Sequence, residues 1–449
     1  ARAKKETALT PEERLQAALV PDWEWPYKLP ENWCWTTVGA INQYEGISAD
    51  PTKAKNETFE LYSVPSSADN YPEIVLGADI GSAKQSVKKG DVLLCKINPR
   101  INRVWKVSKY TDHSLLASSE WIVIRNSRLI SNYLMWCLRS PYFRGYMLSN
   151  VSGVGGSLMR AQPKFVQGYP MPVPPLAEQQ RIVDRIENLF VKLDEAKEKA
   201  QAVVDSFETS KAAILHKAFT GELTAKWREE HGVRMESWEH HQFSDLCAIV
   251  RGGSPRPAGD PRYYDGNIPF MKVADITRND SPYVSKVEYS IKEEGLKKTR
   301  MVEANTLLLT NSGATLGVPA ITTIRTTFND GIAAFIGLDI DSLLFYYYFW
   351  TSKTAFLRSI NMGAAQPNLN TKLIGEVEID VPQTAERVEI ARVLNALLSK
   401  EQQAKEAAEA VLDQIDLMKK SILARAFRGE LGTNDPNEES AVELLKQLI

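Results

Sequence analysis

The 449-residue sequence predicts a mixed α/β (α+β) fold. Two strand-rich domains are separated by two long antiparallel helices that form a coiled coil. Three observations predict it. A 50-residue segment occurs twice, both copies have the apolar spacing of a long helix, and each copy follows a segment with strand and turn signals. Because the whole unit recurs, we also expect a pseudo-twofold internal repeat.

The repeated segment is the strongest feature of the sequence. Residues 174–223 and 382–431 align without a gap at an offset of 208, and 21 of the 50 positions are identical. Each copy begins with a proline, Pro174 or Pro382, and ends in Gly-Glu-Leu. Proline before a helix and glycine after it are the preferred boundaries. The match therefore indicates duplication of a unit of roughly 200 residues.

Apolar residues in both copies recur at alternating steps of four and three, which is the a/d spacing of a coiled coil. Two matched stripes with a whole domain between them favour antiparallel pairing with each other, and ordinary helices buried in a large domain are the alternative. The predicted stripes, interrupted at Ser210 and Glu401, are Ile182, Ile186, Leu189, Leu193, Ala196, Ala200, Val203, Phe207 and Ile214, and Ile390, Leu394, Leu397, Ala404, Ala408, Val411, Ile415, Met418 and Ile422.

The segments before the two helices share an outline rather than a sequence. Each has a short apolar strand after a turn signal (89–94 and 304–309) and an aromatic, helix-like run (133–147 and 343–360). Each then has a strand leading into the prolines (168–173 and 376–381). Similar helices with divergent domains indicate that the domains bind two different ligands of one kind.

The chain ends carry two further predicted helices. Thr10-Pro11-Glu12-Glu13 predicts a capping box that opens a helix through Leu19, and the apolar residues near 441–445 predict a small terminal helix. The predicted boundaries are an N-terminal extension at 1–22, a first domain at 23–173, the first helix at 174–223, a linker at 224–237, a second domain at 238–381, the second helix at 382–431 and a tail at 432–449.

Composition excludes several classes of protein. The net charge is −2, the four cysteines are scattered, and the sequence lacks both an apolar stretch long enough for a membrane span and a signal-peptide pattern. We therefore expect a cytoplasmic protein without a disulfide framework or a zinc site. Overall charge does not indicate nucleic-acid binding, so a local basic patch has to be sought.

Motifs for catalysis are missing from the sequence. It has no phosphate-binding P-loop, nucleophile elbow or His-Glu-x-x-His helix. Asn98-Pro99-Arg100-Ile101 and Asp260-Pro261-Arg262-Tyr263 resemble the Asn/Asp-Pro-Pro-Tyr motif of amino-methyltransferases, but arginine replaces the second proline in both. We therefore expect no catalytic residues and no cofactor or metal bound to this chain.

Residues 84–109 give the strongest DNA-binding signal. They contain eight Lys or Arg residues and one acid, Asp91, a net charge of +7. Cations neutralise phosphates, and Arg and Asn can also form paired hydrogen bonds with base edges. A solvated charged hairpin is the alternative. A second candidate is the glycine-rich loop at 155–164.

Residues 235–381, which include the second domain, are mildly acidic, with 14 Lys or Arg and 17 Asp or Glu residues, so the candidates there are polar loops rather than a basic patch. The predicted DNA-binding residues of the first domain are Lys96, Asn98, Arg100, Asn102, Arg103, Lys106, Arg160, Gln162 and Lys164. Those of the second are Arg251, Ser254, Arg256, Arg262, Tyr263, Asn311, Ser312, Thr315, Gln366, Asn368 and Asn370.

Taken together, these features resemble the specificity subunit of type I restriction-modification systems. The resemblance rests on VPPLAEQQRIV (173–183) with KAFTGELTAKWR (217–228), and on VPQTAERVEIA (381–391) with RAFRGEL (425–431). The LPENW opening (29–33) and the RGGSPRP…YYDGNIPF run (251–270) also fit the family, so the resemblance spans nearly the whole chain.

The resemblance implies properties that the residue patterns do not show. The two domains would be target recognition domains, each binding half of a bipartite, asymmetric DNA sequence, and the helices would fix the spacer between the halves. Two modification subunits would dock on the helices and methylate adenine, and ATP-dependent restriction subunits would join through them. S-adenosylmethionine, ATP and Mg²⁺ would therefore be bound by the partner subunits.

Two departures from the family pattern stand out. The stretch before Leu29 is longer than the pattern requires, and Gln383-Thr384 replaces Pro175-Leu176 at the start of the second helix. The second departure leaves open whether both helices contact their partner subunits in the same way. A self-contained DNA-modifying enzyme and a scaffold that does not bind DNA are the competing hypotheses.

Overall fold

The structure is a computed structural model that describes residues 10–152, 159–360 and 369–449. It forms two compact units, Ala1–Ala200 with Ala410–Ile449 (unit 1) and Gln201–Glu409 (unit 2). Each long helix contributes one part to each unit, so the units divide inside the helices. The domain boundaries given above stay predictions.

Helices occupy much of each unit, and the two long ones have the predicted places in the chain. The α-helices are α1 (Pro11–Ala18), α2 (Val38–Ile41), α3 (Ser131–Arg139), α4 (Pro141–Ser149), α5 (Pro163–Val166), α6 (Leu176–Phe219), α7 (Ala225–His231), α8 (Phe243–Leu246), α9 (Val273–Thr277), α10 (Glu293–Leu296), α11 (Leu343–Ser359), α12 (Thr371–Gly375), α13 (Thr384–Ala426) and α14 (Ala441–Lys446). Short 3-10 helices lie at Asp22–Glu24, Pro51–Lys53, Pro65–Ala68, Gly77–Asp79, Met235–Ser237 and Ile340–Ser342.

Most of the chain between the helices forms short strands and the loops that join them. The strands of unit 1 are β1 (Cys34–Thr37), β2 (Ser48–Ala49), β3 (Thr58–Tyr62), β4 (Glu73–Leu76), β5 (Lys84–Ser86), β6 (Val92–Cys95), β7 (Val104–Lys106), β8 (Ser114–Ala117), β9 (Trp121–Ile124), β10 (Val151–Ser152), β11 (Arg160–Ala161) and β12 (Pro170–Val173). Those of unit 2 are β13 (Glu239–Gln242), β14 (Ala248–Arg251), β15 (Tyr264–Met271), β16 (Tyr283–Val284), β17 (Tyr289–Ile291), β18 (Arg300–Val302), β19 (Thr306–Thr310), β20 (Pro319–Thr322), β21 (Thr326–Phe328), β22 (Ile332–Ile336) and β23 (Glu378–Val381).

The internal repeat is confirmed at the level of the helices. Helix α6 begins at Leu176 and α13 at Thr384, the same 208-residue offset as in the sequence. The Gln383-Thr384 replacement therefore does not move the start of the second helix. Each helix follows a two-stranded antiparallel pair, β1 with β12 in unit 1 and β13 with β23 in unit 2.

Segments of the two long helices run antiparallel within each unit. In unit 1, residues near the start of α6 meet the chain after α13, and Asp194 pairs with Lys419 further along. In unit 2, Phe207 of α6 meets Lys405 of α13, while Thr224 after α6 meets Glu386 in the first turn of α13. The predicted antiparallel direction is confirmed in both units.

The predicted stripes are wrong at alternate positions in the middle of the helices. Val203, Ala404, Val411 and Met418 are exposed. In each case the following residue is partly buried instead, namely Val204, Lys405, Leu412 and Lys419. The 4-3 spacing survives, but one of its two positions is shifted by one residue.

Two lysines explain much of this shift. The Lys405 Nζ atom lies 4.8 Å from the centroid of the Phe207 ring, and the Lys419 Nζ atom lies 5.0 Å from that of Phe190. A lysine stem can cover apolar surface while its ammonium group stays hydrated or lies over an aromatic face. A stripe predicted from apolar residues cannot include a lysine, so the neighbouring Ala404 and Met418 were predicted in place of Lys405 and Lys419.

A buried glutamate fixes the first turn of each long helix, where the helix dipole favours negative charge. Glu178 and Glu386 are fully buried and occupy the same position of the repeat. Glu178 accepts a hydrogen bond from Thr433 Oγ1 at 2.7 Å, and Glu386 accepts one from Thr224 Oγ1 at 2.7 Å. In each unit the chain after one helix is therefore joined to the start of the other.

Arginines complete these two glutamate networks differently. Arg228 donates to Glu386 and Gly221, and its side chain is 10% exposed. In unit 1, Arg181 lies beside Glu178 but also donates two hydrogen bonds of 2.8 Å to Glu438. The Glu386 carboxylate is thus the sole carboxylate partner of its arginine among the described residues, whereas Arg181 has two.

The sheets of the two units share a topology around a central hairpin. In unit 1, β6 pairs with β7 and with β9, all antiparallel; in unit 2, β19 pairs with β20 and β22 in the same way. Each unit also has a parallel pair, β3 with β8 and β15 with β21, whose first strand precedes the hairpin and whose second strand follows it. The short apolar strands predicted at 89–94 and 304–309 are confirmed as the central strands β6 and β19.

Aromatic helices cover these sheets. In unit 2 the predicted aromatic helix is continuous as α11, and Phe345, Tyr346, Phe349 and Trp350 are buried in the core. In unit 1 the predicted run is broken into α3 and α4, because Ser140 ends the first helix and caps the second, which starts at Pro141.

The predicted terminal helices are both present in unit 1. Thr10 and Glu13 form the predicted capping box at the start of α1, and α14 forms near the chain end. The core of unit 1 includes Ala441 and Leu445 of α14 together with Ala18 of α1. Residues 1–9 of the predicted extension lie outside the described residues. In the part of the chain that the structure describes, no helix combines the length and apolar character of a membrane span.

Candidate nucleic-acid interface

The basic stretch of unit 1 forms the β6–β7 hairpin and its flanks, so its charges lie at two ends of that hairpin. The loop end carries Lys96, Asn98, Arg100, Asn102 and Arg103. The open end carries other lysines, and strands of three or four residues separate the two ends by roughly 10–13 Å. The stretch is therefore two basic sites, not one.

Lys106 belongs to the open end. Its Nζ atom donates to Asn132 Oδ1, and Asn132 Nδ2 donates to Glu187 Oε1 at 3.0 Å. These contacts tie the lysine to α3 and α6. The single acid of the stretch, Asp91, is 2% exposed and accepts two hydrogen bonds from Arg125, of 2.8 and 2.7 Å. The Asp91 carboxylate is therefore paired with Arg125 in the interior and does not neutralise the positive charge of the surface lysines.

The loop end is held by its own backbone. Asn98 and Asn102 adopt left-handed conformations with φ of 47° and 54°, which asparagine tolerates better than most residues. The Asn102 Nδ2 atom donates to Leu138 O at 3.3 Å. Between them, Arg100 and Ile101 are exposed at the tip, and Ile101 is 52% exposed. Asn102 therefore shapes the loop, while Arg100 and Ile101 face outward.

A second predicted loop of unit 1 lies directly against this hairpin. The Asn98 N–H donates to Met159 O at 2.8 Å, and the Ala161 N–H donates to Lys96 O at 2.8 Å. Arg160, on β11, is exposed and donates from Nη1 to both oxygens of Glu120, at 3.2 and 3.0 Å. The structure thus brings Lys96, Asn98 and Arg160 together although about 60 residues separate them in the sequence.

Gln162 and Lys164 continue from the same segment. Gln162 is partly buried and its carbonyl accepts the first hydrogen bonds of α5, while Lys164 is exposed with its Nζ atom 4.8 Å from the Phe165 ring centroid. We refer to residues 96–103, 118–120 and 159–164 as the unit 1 loop cluster. Its arrangement is suited to contact with a polyanion, because its exposed cations come from two chain segments held in register.

In unit 2 the predicted loops converge on the turn Asn329–Gly331. Asp330 accepts hydrogen bonds from Ser254 Oγ at 2.6 Å and from Arg256 Nη2 at 3.3 Å, and the Asp330 carbonyl accepts one from Arg251 Nε at 2.7 Å. Burial alone would raise the pKa of the Asp330 carboxyl, but the Ser254 hydrogen bond and the Arg256 charge hold that pKa below its ordinary value. Asp330 is thus a charged hub for three predicted residues.

Glycine makes this convergence possible. A Cβ atom on Gly252 would lie 2.2 Å from Asn329 O and 2.5 Å from Phe328 O, which is closer than non-bonded atoms approach. The Gly252 N–H donates to Ile332 O at 3.0 Å in this close passage. The glycine pair in the predicted RGGSPRP run therefore lets residues 251–256 lie against the turn.

The hairpin loop of unit 2 joins the same cluster. The Asn311 N–H donates to Gly331 O at 2.9 Å, and Asn311 O accepts from the Leu369 N–H at 2.7 Å. Asn311 itself is fully buried, so in this conformation it supports the loop from inside. Ser312 is partly buried and Thr315 is exposed. We refer to residues 251–256, 311–315, 329–331 and 369–370 as the unit 2 loop cluster.

The remaining predicted residues of unit 2 have local roles or lie apart. Asn370 caps α12 by accepting from the Leu373 N–H at 2.8 Å. Arg262 pairs with Asp260 and lowers the pKa of that carboxyl to about 2. The arginine also lies over the Tyr263 ring, with its Cζ atom 5.4 Å from the centroid. Gln366 and Asn368 lie outside the described residues, as do residues 155–158 of the glycine-rich loop.

The sequence and the structure of this chain are similar to those of known proteins. The family model described as the type I restriction modification DNA specificity domain matches residues 235–410. The EcoKI specificity subunit of Escherichia coli K12 is 23% identical over 352 residues, which cover 73% of each chain. The MjaIX specificity subunit of Methanocaldococcus jannaschii is 30% identical over 164 residues, 36% of this chain and 38% of that relative.

Over residues 235–410 this chain is a match to the type I restriction modification DNA specificity domain, and over longer stretches it is similar to curated type I specificity subunits. The crystal structure of the HsdS subunit from Thermoanaerobacter tengcongensis has the same fold, with a TM-score of 0.68 and 22% identity over 91% of this chain and 100% of that chain. These comparisons confirm the resemblance found in the sequence. The individual DNA contacts of this chain stay predictions.

Sequence reasoning missed the acidic members of the two clusters. Glu120 and Asp330 were not among the predicted residues, because DNA contacts were sought among cations and neutral polar groups. Asn329-Asp330-Gly331 does predict a turn, and Ser118-Ser119-Glu120 is polar between two strands, but neither pattern names a partner. The hydrogen-bonding arginines come from distant segments, which a local pattern cannot identify.

Proposed function

We propose that this chain is the sequence-specific DNA recognition subunit of a type I restriction-modification complex, and that each unit recognises one half of a bipartite, asymmetric target. One observation carries the proposal: in each unit, predicted DNA-binding residues from separate loops lie together in one loop cluster. Convergent polar groups on neighbouring loops are what base recognition requires, since several base edges must be contacted at once.

The proposal includes the partners. We propose that two modification subunits, adenine-N6 methyltransferases, dock on this chain and that restriction subunits join through them. S-adenosylmethionine would be bound by the modification subunits, and ATP and Mg²⁺ by the restriction subunits. This chain would supply no catalytic residue, and such a complex would act on DNA in the cytoplasm.

Selection from random duplexes tests the recognition. The full chain, assembled with its modification subunits, is incubated with random duplex DNA, and the bound fraction is sequenced. We expect two enriched half-sites separated by a spacer of fixed length. A scaffold that does not bind DNA would enrich no sequence, and methyl transfer by the purified chain alone would favour the self-contained enzyme.

The basic hairpin loop gives a sharper test within unit 1. Replacement of Arg100 and Arg103 by alanine should weaken binding or relax one half-site, because it removes two cations from the loop end. Assembly with the modification subunits should be unchanged. A variant with Lys53 and Lys55 replaced by alanine is the matched control, because both lysines are exposed in unit 1 and lie outside the loop cluster. Unchanged affinity and half-site preference in the double variant would remove this loop from the interface.

A further inference from the structure

A carboxylate lies inside each loop cluster, where simple electrostatics disfavours it. Glu120 accepts two hydrogen bonds from Arg160 and lies 4.0 Å from Lys96 Nζ, while Asp330 binds Ser254 and Arg256. An acid next to a phosphate-binding surface weakens attraction to DNA. These two acids therefore need an explanation other than phosphate binding.

The two carboxylates occupy the same place in the topology of their units. Glu120 lies in the turn between β8 and β9, and Asp330 in the turn between β21 and β22. In each unit these are the last two strands before the aromatic helices. The backbone contacts also correspond: the Lys96 N–H donates to Glu120 O at 3.1 Å, and the Asn311 N–H donates to Gly331 O at 2.9 Å.

This correspondence extends to the third loop of each cluster. Lys96 O accepts from the Ala161 N–H at 2.8 Å, and Asn311 O accepts from the Leu369 N–H at 2.7 Å. Both donors belong to the segment that follows the aromatic helices. The acid turn is thus built into the same three-segment frame twice, although the acid is glutamate in one unit and aspartate in the other.

We propose that Glu120 and Asp330 are positioning residues, which orient Arg160 and Arg256 for base recognition before DNA binds. The inference rests on the proposed function and adds the residues that set its specificity. Free arginines on a surface sample many rotamers, and their ordering on binding costs affinity. A carboxylate that holds one end of the guanidinium in advance reduces this cost.

Arg160 shows how this orientation leaves donors for DNA. Glu120 binds its Nη1 atom, and among the described residues the Nε and Nη2 atoms have no hydrogen-bond partner. These two atoms form one edge of the guanidinium, and two parallel donors match the O6 and N7 acceptors of guanine. The exposed Arg160 side chain, 52% accessible, can present that edge outward.

A positioning carboxylate and an incidental one predict opposite effects on specific binding. Loss of a negative charge from the surface should raise affinity for any DNA, because phosphate attraction increases. If the carboxylate orients an arginine, its loss should also lower the preference for one half-site. Non-specific affinity and base preference should therefore change in opposite directions in the same variant.

The experiment uses Glu120→Gln and Asp330→Asn in the full chain assembled with its modification subunits. Each variant is selected against random duplexes, and its binding to a duplex lacking the target is measured separately. We expect the preference at one half-site to fall about ten-fold in Glu120→Gln and at the other half-site in Asp330→Asn. Binding to non-target DNA should be unchanged or stronger. Glu120→Asp, which keeps the charge, should recover part of the preference.

Glu303→Gln is the control. Glu303 pairs with Arg325 at 3.1 Å, both side chains are exposed, and neither residue belongs to the unit 2 loop cluster. Unchanged preference in both test variants would overturn the inference, as would weakening at both half-sites together with loss of folding stability, which indicates a purely structural role. If the unaltered chain itself shows no preference, the proposed function fails instead.

Discussion

The buried glutamate in the first turn of α13 offers a strong test of how unit 2 is held together. Glu386 is fully buried and accepts hydrogen bonds from Thr224, Arg228 and Trp238 Nε1. Glu386→Gln preserves the side-chain volume but removes the negative charge. Arg228, 10% exposed, would then keep its positive charge without a carboxylate among the described residues.

The magnitude follows from that unpaired charge. Removal of one partner from a buried ion pair costs roughly 3–5 kcal/mol, because the remaining ion is desolvated without compensation. The equivalent Glu178→Gln in unit 1 should cost less, about 1–2 kcal/mol. Arg181 is 37% exposed there and retains its paired hydrogen bonds to Glu438. The two glutamates hold the same repeat position and each accepts from a threonine, so the comparison mainly tests the arginine environment, with the Trp238 hydrogen bond as a further difference.

Urea unfolding of the full chain measures both variants. Trp238 donates its indole N–H to Glu386 at 3.0 Å, so tryptophan fluorescence should report the opening of this network. Adding Arg228→Met to Glu386→Gln should recover part of the loss, because the unpaired charge is removed with it. Equal losses in the Glu178 and Glu386 variants, or a loss below about 1 kcal/mol for Glu386→Gln, would refute the reasoning.

Three other predictions concern the helices and one strand pair. On α13, Val411 is exposed and Ile415 is buried. Val411→Ala should therefore change the free energy of unfolding by less than about 0.5 kcal/mol, whereas Ile415→Ala should lower it by about 2–5 kcal/mol. Similar losses in the two variants would contradict the one-residue shift of the apolar stripe. Insertion of one heptad in both long helices lengthens each by about 10.5 Å, or roughly three base pairs, so methylome sequencing should find a longer spacer with unchanged half-sites. Altered half-sites with an unchanged spacer would refute the idea that the two long helices set the spacer length. His240 binds Asp380 Oδ1 at 2.8 Å, which raises the pKa of the imidazole; an NMR titration should find it above 6.5 and Asp380→Asn should lower it. Because the folded pKa is raised, the contribution of this pair to stability is present below the ordinary pKa and is lost as the pH rises through the raised value.

Signals that act within a few residues were sufficient for much of the fold. The capping box at Thr10, the prolines before the long helices and the four-three spacing each depend on neighbours along the chain. The corresponding helices therefore formed where they were expected. Pro141 carries an equally local signal, a helix break after Ser140, which the predicted single aromatic run did not take into account.

The parts that could not be predicted depend on distant partners. Lys419 takes a place in the stripe because its side chain lies against the Phe190 ring, and a hydropathy pattern cannot assign a lysine to a buried stripe. Asp330 becomes a hub only because glycine lets residues 251–256 approach its turn. The predicted residues of the loop clusters were found by type, while their arrangement required the tertiary structure.

Side-chain contacts in the helices and backbone contacts in the loop clusters explain why the two copies of the repeat are similar in their helices and divergent in their domains. Glu178 and Glu386 must each satisfy a hydroxyl and a guanidinium in a buried space, so few other residues could replace them. In the loop clusters the fixed elements are backbone hydrogen bonds between the hairpin, the acid turn and the third segment, which place few demands on side chains. Glu120 and Asp330 can differ, and their arginines can come from different segments, Arg160 from β11 and Arg256 from the loop after β14, while the backbone contacts stay the same. A duplicated unit built in this way can change the side chains of its loop clusters without changing its fold.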